Sequence, residues 1–185
     1  AWVDNGPGWC AVLLESAERV LALRPDWARL GSLKLGVVGP HPAGAEAQFE
    51  LRAFIGDGDY EDPVTGSLNA SVAQWLIGAN LAPPRYVAAQ GAALQRAGRV
   101  HICREGDTVW VGGDRARVWR LVGSRLDEAT AFGEAPTSDE WHTPWGGPPD
   151  VFSMSSYGDD LYVSVHVGGI LRTSDDSEVR RRAWE

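Results

Sequence analysis

Several things are scarce in this 185-residue chain, and each scarcity narrows what it can do. It has two cysteines, Cys10 and Cys103, far apart and with no partner at metal-ligand spacing, so no metal site is expected. Two buried, reduced thiols is the ordinary reading of such a pair, and a disulfide between them is the alternative. Positive charge is also short: the formal net charge is −8, which argues against a nucleic acid or an anionic membrane as the main partner. No apolar run reaches the length of a bilayer span, and no signal-peptide pattern is present, so a cytoplasmic protein is expected. The chain begins at Ala1 rather than at methionine, so trimming or membership of a longer chain is expected. There is no internal repeat across the whole length, and nothing that calls for a cofactor.

What is present belongs to a folded protein. Hydrophobic residues make up 44% and charged residues 23%, a composition that suits one domain, or a small domain with an appendage. Nine tryptophans, four of them at or after position 119, hint that the two ends differ in character.

Along the chain, "WVDNGPGWCAVLLE" reads as a turn at Asn5-Gly6-Pro7-Gly8 leading into a buried strand. "SAERVLALRPDWARL" reads as helical, with Ser16 as N-cap, Val20, Leu21 and Leu23 as its apolar face, and Pro25 as its breaker. "KLGVVGPHP" reads as a short strand. "AQFELRAFI" alternates, which predicts a half-buried strand with Phe49, Leu51, Ala53 and Ile55 on one face. "RVHICRE" and "DTVWVGG" predict a hairpin turning at Glu105-Gly106-Asp107, and "ARVWRLV" a further strand. Residues 1–122 therefore read as an α+β unit, strands wrapped around one apolar helix.

That helix follows the stretch "EDPVTGS" and covers residues 67–77, with Gly78 and Asn80 as its stop. It carries no charge, so it should be core, with a rigidly held tip. A helix N-terminus presents unpaired N–H groups and a partial positive charge, which suits a carboxylate or phosphate. Gly66 would let backbone approach such a ligand, Thr65 and Ser67 would add hydroxyls, and Asp62 could orient it or move a proton. Plain helix capping by Asp62 and Ser67 is the competing reading.

"EDPVTGSLNASVAQWL" resembles the signature of the phenazine-biosynthesis PhzF-like isomerases, relatives of diaminopimelate epimerase. "VDNGPGW", "LGVVGPHPAG" and "QGAALQRAGRVHI" resemble further stretches of that family in the same order, over roughly residues 2–122. The resemblance implies one half of a two-half fold, a barrel-like sheet around a central helix, with the active site in the cleft between halves. It implies Asp62 and Ser67 as catalytic residues, and Thr65, Gly66 and Gly91 as binding ones for a small carboxylate-bearing molecule. The epimerases place a cysteine where Ser67 stands, and serine is a poor acid or base without help, which favours the PhzF-like branch. The family's glutamate acid/base and its assisting histidine belong to the other half, which has no counterpart here. Weak isomerase activity, or none, is therefore expected of this chain alone, and an open half-site face should drive formation of a homodimer or higher homo-oligomer.

From Gly123 the texture changes. Residues 123–140 read as a linker. "TPWGGPPDVFSMS" and "LYVSVHVGGILRTSDD" resemble one partial blade of a BNR/Asp-box β-propeller over residues 141–176, with residues 177–185 as an off-pattern tail. Ser174 and Asp176 could start an Asp-box turn, but Ser177 stands where glycine is wanted. One blade cannot close a propeller, so Trp141, Trp145, Tyr162 and His166 are expected to pack rather than bind. Leu161, Val163, Val165 and Val167 alternate and could cover exposed core. Such a chain looks chimeric or rearranged. A non-catalytic, self-associating protein and a glycan-binding module are the alternatives to an isomerase-derived domain.

Overall fold

The computed structural model describes residues 1–136, 138–158 and 160–173, and the backbone of 180–181. The Asp-box positions Ser174, Asp176 and Ser177 lie outside the described residues. The chain folds as two sheets packed against each other. The larger runs in the order β1 (Trp2–Val3), β2 (Trp9–Leu13), β3 (Lys34–Pro40), β4 (Phe49–Ile55), β6 (Arg85–Gln90), β7 (Gly98–Glu105), β8 (Thr108–Gly112), β9 (Val118–Val122) and β10 (Arg125–Glu128). The short β5 (Tyr60–Asp62) adds to β4. The sheet is mixed: β2–β3 and β4–β6 are parallel and every other pair is antiparallel.

This sheet curls around the helix α3 (Gly66–Gly78), whose residues Leu68, Ala70, Val72, Ala73, Leu76 and Ile77 are buried. They pack with Trp9, Leu51, Tyr86, Ile102, Val111 and Leu121, drawn from strands along most of the sheet. A helix enclosed on nearly every side has no water-facing stripe for charge to occupy. Gly36 sits where any Cβ would meet the Leu68 side chain at 2.4 Å, so its lack of a side chain lets β3 lie against α3. The result is the barrel-like sheet around a central helix that the sequence suggested.

The strand β4 departs from its sequence reading. It is buried on both faces, not one. The helix α1 (Ala17–Ala22), capped by Ser16, covers its outer side, and α2 (Trp27–Leu30), capped by Asp26, lies next to it. The outward-facing Glu50, Arg52 and Phe54 are therefore enclosed as fully as Leu51. Arg52 is held there by Glu61, 2.7 Å away, and donates to the carbonyls of Val20 and Leu23 at the end of α1. The buried charge of Arg52 is tolerated because each of its nitrogens finds a partner.

Residues 123–140, expected as a linker, are built into the fold. They hold β10 and two short 3₁₀ turns, and Phe132 is fully buried. The second sheet is an antiparallel meander, β11 (Val151–Tyr157), β12 (Asp160–Val165), β13 (Gly169–Thr173) and β14 (Arg180–Arg181). Its buried face, with Val151, Leu161, Val163, Val165 and Leu171, packs on Cys103, Trp110 and Val118 of the larger sheet. Val167 does not join that face: it lies exposed, at φ 38°, in the turn between β12 and β13. Cys103 is buried, Cys10 is half-buried, and both are free thiols. No helix of the described residues is long and apolar enough to cross a membrane.

Candidate functional site

The tip of α3 is uncapped. Thr65 occupies the N-cap position, but its side chain makes no capping bond, and the first hydrogen bond of the helix runs from Asn69 N–H to Thr65 O at 3.1 Å. The N–H groups of Gly66, Ser67 and Leu68 thus have no acceptor inside the helix. Asp62 does not cap it either: its Oδ1 accepts from Val64 N–H at 3.3 Å. Plain capping by Asp62 and Ser67 is not what the geometry shows.

Instead, a buried amide network holds the tip from behind. Gln90, the last residue of β6, is 1% exposed. Its Oε1 accepts from Thr65 N–H at 3.1 Å and from Asn69 Nδ2 at 2.8 Å. Its Nε2 donates to Asp62 O at 2.9 Å and Thr65 Oγ1 at 3.1 Å. One side chain thereby ties together the strand end, the entry loop and the first turn of the helix. Thr65 is turned inward to this network and is buried.

Ser67 is held from the other side. The buried Trp9 donates its indole N–H to Ser67 Oγ at 3.1 Å, and Asn5 Nδ2 donates to Ser67 O at 2.9 Å. Because Trp9 occupies the acceptor side of that hydroxyl, the Ser67 O–H remains to donate elsewhere. The turn and strand read from "VDNGPGW" are thus a second clamp on the helix tip.

The two glycines do different work. Gly91 has φ +94°, and a Cβ there would come within 2.8 Å of Pro63 O and 2.9 Å of Arg96 Cβ, so it packs one loop against the other. At Gly66 a Cβ would meet nothing nearer than the Trp119 ring at 3.8 Å, an ordinary contact. The fold does not require glycine there. A cavity of about 300 Å³ opens in front of it, lined by Val64, Gly66, Gly112, Asp114, Arg117 and Trp119 among others. Arg117 pairs with Glu128 and lies over Trp119, 4.7 Å from the ring centroid. That pairing raises the Arg117 pKa and holds the Glu128 carboxyl below its usual range. No group of His, Cys, Asp and Glu among the described residues is arranged to hold a metal.

Sequence reasoning missed Gln90, Asn69, Asn5 and Trp9. The signals were there: a lone asparagine inside an apolar helix, and a glutamine ending an otherwise apolar strand run next to Gly91. Neither can face a core without a partner.

A family model described as phenazine biosynthesis-like protein matches residues 1–119. Solved structures of phenazine biosynthesis proteins are also similar. A PhzC/PhzF protein from Clostridium difficile (strain 630) is 28% identical over 55% of this chain and 38% of its own, with a TM-score of 0.46. A PhzF-family protein from Enterococcus faecalis is 21% identical over 64% of this chain and 41% of its own, at TM-score 0.45. One from Bacillus anthracis is 15% identical over 54% and 38%, at 0.44. The match thus spans only about two fifths of those chains. No curated protein matches the chain.

Proposed function

Because the chain belongs to the phenazine biosynthesis-like family, we propose that its larger sheet carries the anion-holding half of an isomerase-type site. The carrying observation is the uncapped tip of α3, with free N–H groups at Gly66, Ser67 and Leu68 and a cavity before it. A carboxylate placed there accepts from the N–H groups and from Ser67 O–H, and meets the positive end of the helix. Gln90, Trp9 and Asn5 fix those donors before any ligand arrives, so little ordering is left for binding to bring about. Asp62, on the same loop, orients the substrate or shuttles its proton.

The residues that resemble the family hold one wall of a cleft. Without the family's glutamate and histidine, that wall alone gives weak proton transfer or none. The test is incubation with a dihydro-hydroxyanthranilate-type substrate in deuterated water, followed by mass spectrometry, with Asp62→Ala as control. Deuterium entry that vanishes in the variant supports the reading. A folded protein that takes up none, and binds no carboxylate, refutes it.

A second reading, a rearranged chain that self-associates, is favoured by Trp2, 67% exposed on the edge strand β1. A partial-blade origin for residues 141–176 belongs to this reading, supported by the antiparallel strands β11–β13. Sedimentation showing a monomer at high concentration would exclude self-association.

A further inference from the structure

A second, larger cavity of about 580 Å³ adjoins the first. It lies between Pro63 and Val64 before α3, Arg96 and Arg99 around the start of β7, and the segment leading into the second sheet, which contributes Trp145 and Asp150. Val64 and Asp114 line both cavities, so the two meet beside the helix tip. Trp145 and Asp150 therefore face the loop before α3 across these cavities.

Trp145 is presented there by a built turn. Trp141 is buried in the second core. Thr143 Oγ1 accepts from Gly147 N–H at 2.8 Å, and Gly146 N–H donates to Thr143 O at 2.9 Å. At the apex of this fixed turn the Trp145 side chain is 73% exposed, which packing alone does not explain. Its ring meets His166 edge to face at 5.6 Å. His166 Nδ1 pairs with the Asp150 carboxylate, and the His166 backbone N–H donates to the Asp150 backbone O at 3.3 Å. Asp150 is also fixed by a backbone bridge to Asp114. Side chain and backbone both hold the carboxylate at the cavity wall. On the opposite side, Arg96 and Arg99 bring positive charge.

We propose that the segment entering the second sheet supplies a facing wall: Trp145 is the flat face on which a planar carboxylate stacks, and Asp150, oriented by His166, moves its proton. This rests on the reading of the helix tip as the carboxylate site. In the step, the Asp150 carboxylate takes a proton from a ligand carbon and becomes the neutral acid. The electron pair left behind spreads into the ligand's unsaturated system. Return of the proton to a second carbon restores the carboxylate, so the step is an isomerisation that consumes no other reactant. Asp150 is then a catalytic residue alongside Asp62, and His166 a positioning one.

The first test is a titration of the ¹⁵N-labelled chain with benzoate, with Trp145→Phe used to identify the indole signal. The Ser67 amide and the Trp145 indole N–H should shift together along one saturation curve. A Ser67 shift with Trp145 unmoved overturns the second wall and leaves the helix-tip reading standing. Movement of Trp145 alone, or of neither, overturns both. The second test uses the deuterium-exchange assay. Asp150→Asn should lower kcat by roughly 100-fold or more with KM nearly unchanged, as loss of a general base does. His166→Gln should lower kcat less, and Trp145→Ala should mainly raise KM. Asp150→Asn with wild-type kcat, or a benzoate-binding wild type that exchanges no proton, overturns the role of Asp150.

Discussion

The indole N–H of Trp9 donates to Ser67 Oγ across 58 residues of chain, at 3.1 Å. The bond joins the second strand of the sheet to the tip of the central helix and sets which way the serine hydroxyl points. Trp9→Phe removes the donor and also part of a buried ring. It should lower unfolding free energy by more than about 1 kcal/mol, the usual net worth of such a bond, and weaken benzoate binding several-fold. Ser67→Ala should cost about 1 kcal/mol and weaken benzoate binding likewise, and the double variant should lose about 1 kcal/mol less than the sum of the two. Additive losses in urea denaturation would mean that the two residues act separately.

Gln90 is a stronger dependency, since it makes four hydrogen bonds with 1% of its surface exposed. Gln90→Leu fills similar space and leaves buried donors and acceptors without partners. Each such group costs about 1–3 kcal/mol, so a total loss of roughly 3 kcal/mol or more is expected in urea denaturation. A loss under about 1 kcal/mol would show that water replaces the amide and that the network does not hold the tip.

The two site glycines should respond in opposite ways to alanine. Gly91→Ala places a Cβ against Pro63 O in a left-handed conformation and should destabilise by about 1–3 kcal/mol. Gly66→Ala meets no obstacle and replaces glycine in a helix, so stability should stay level or rise by about 0.5–1 kcal/mol. The added methyl faces the space where the carboxylate approaches, so benzoate affinity should fall at least tenfold. Unchanged affinity in a stable Gly66→Ala protein would remove the helix tip as the binding site.

What the sequence made legible follows from distance along the chain. The helix at 67–77 was readable because its apolar content, its preceding glycine and its stop signals are all local; it runs from Gly66 to Gly78. The hairpin at Gly106 was readable for the same reason, and Gly106 has φ +55°. The site's donors at Gly66 and Ser67 came from the same stretch. The face of β4 that carries Glu50 and Arg52 was not readable, because what buries it lies about 30 residues away at Val20 and Leu23. Likewise Trp145 reads as a packing residue and is instead exposed, since nothing in its own segment shows that residues 145–150 lie against the loop before α3; His166 does pack, against Trp145 and Phe152. Residues 123–140 read as a linker because the partners of Phe132, such as Trp110 and Leu161, lie on other strands.

The junction of the two sheets should make stability depend on pH through His101. This residue sits on the outer side of β7, facing Asp150 just before β11, His166 in the turn after β12, Glu46 of the loop before β4, and Arg99 of its own strand. Burial is the largest influence, and it holds the His101 pKa below the ordinary 6.5. In the unfolded chain the imidazole titrates at its ordinary value. As pH falls through 6.5, the unfolded state gains a proton that the folded state refuses, so stability is full above 6.5 and drains toward the lowered folded pKa. Glu46, held below 4.5 by Arg99, loses its contribution only at more acid pH. Glu50, raised above 4.5 by burial, acts with the opposite sign, so the total slope alone is not diagnostic. The difference between wild type and His101→Gln isolates the histidine. In urea denaturation from pH 7.5 down to 5.5, wild type should lose more stability than the variant, by at most about 1.4 kcal/mol per pH unit. Parallel curves for the two proteins would mean that His101 takes up its proton equally well folded and unfolded, and that the junction of the sheets does not exclude water from it.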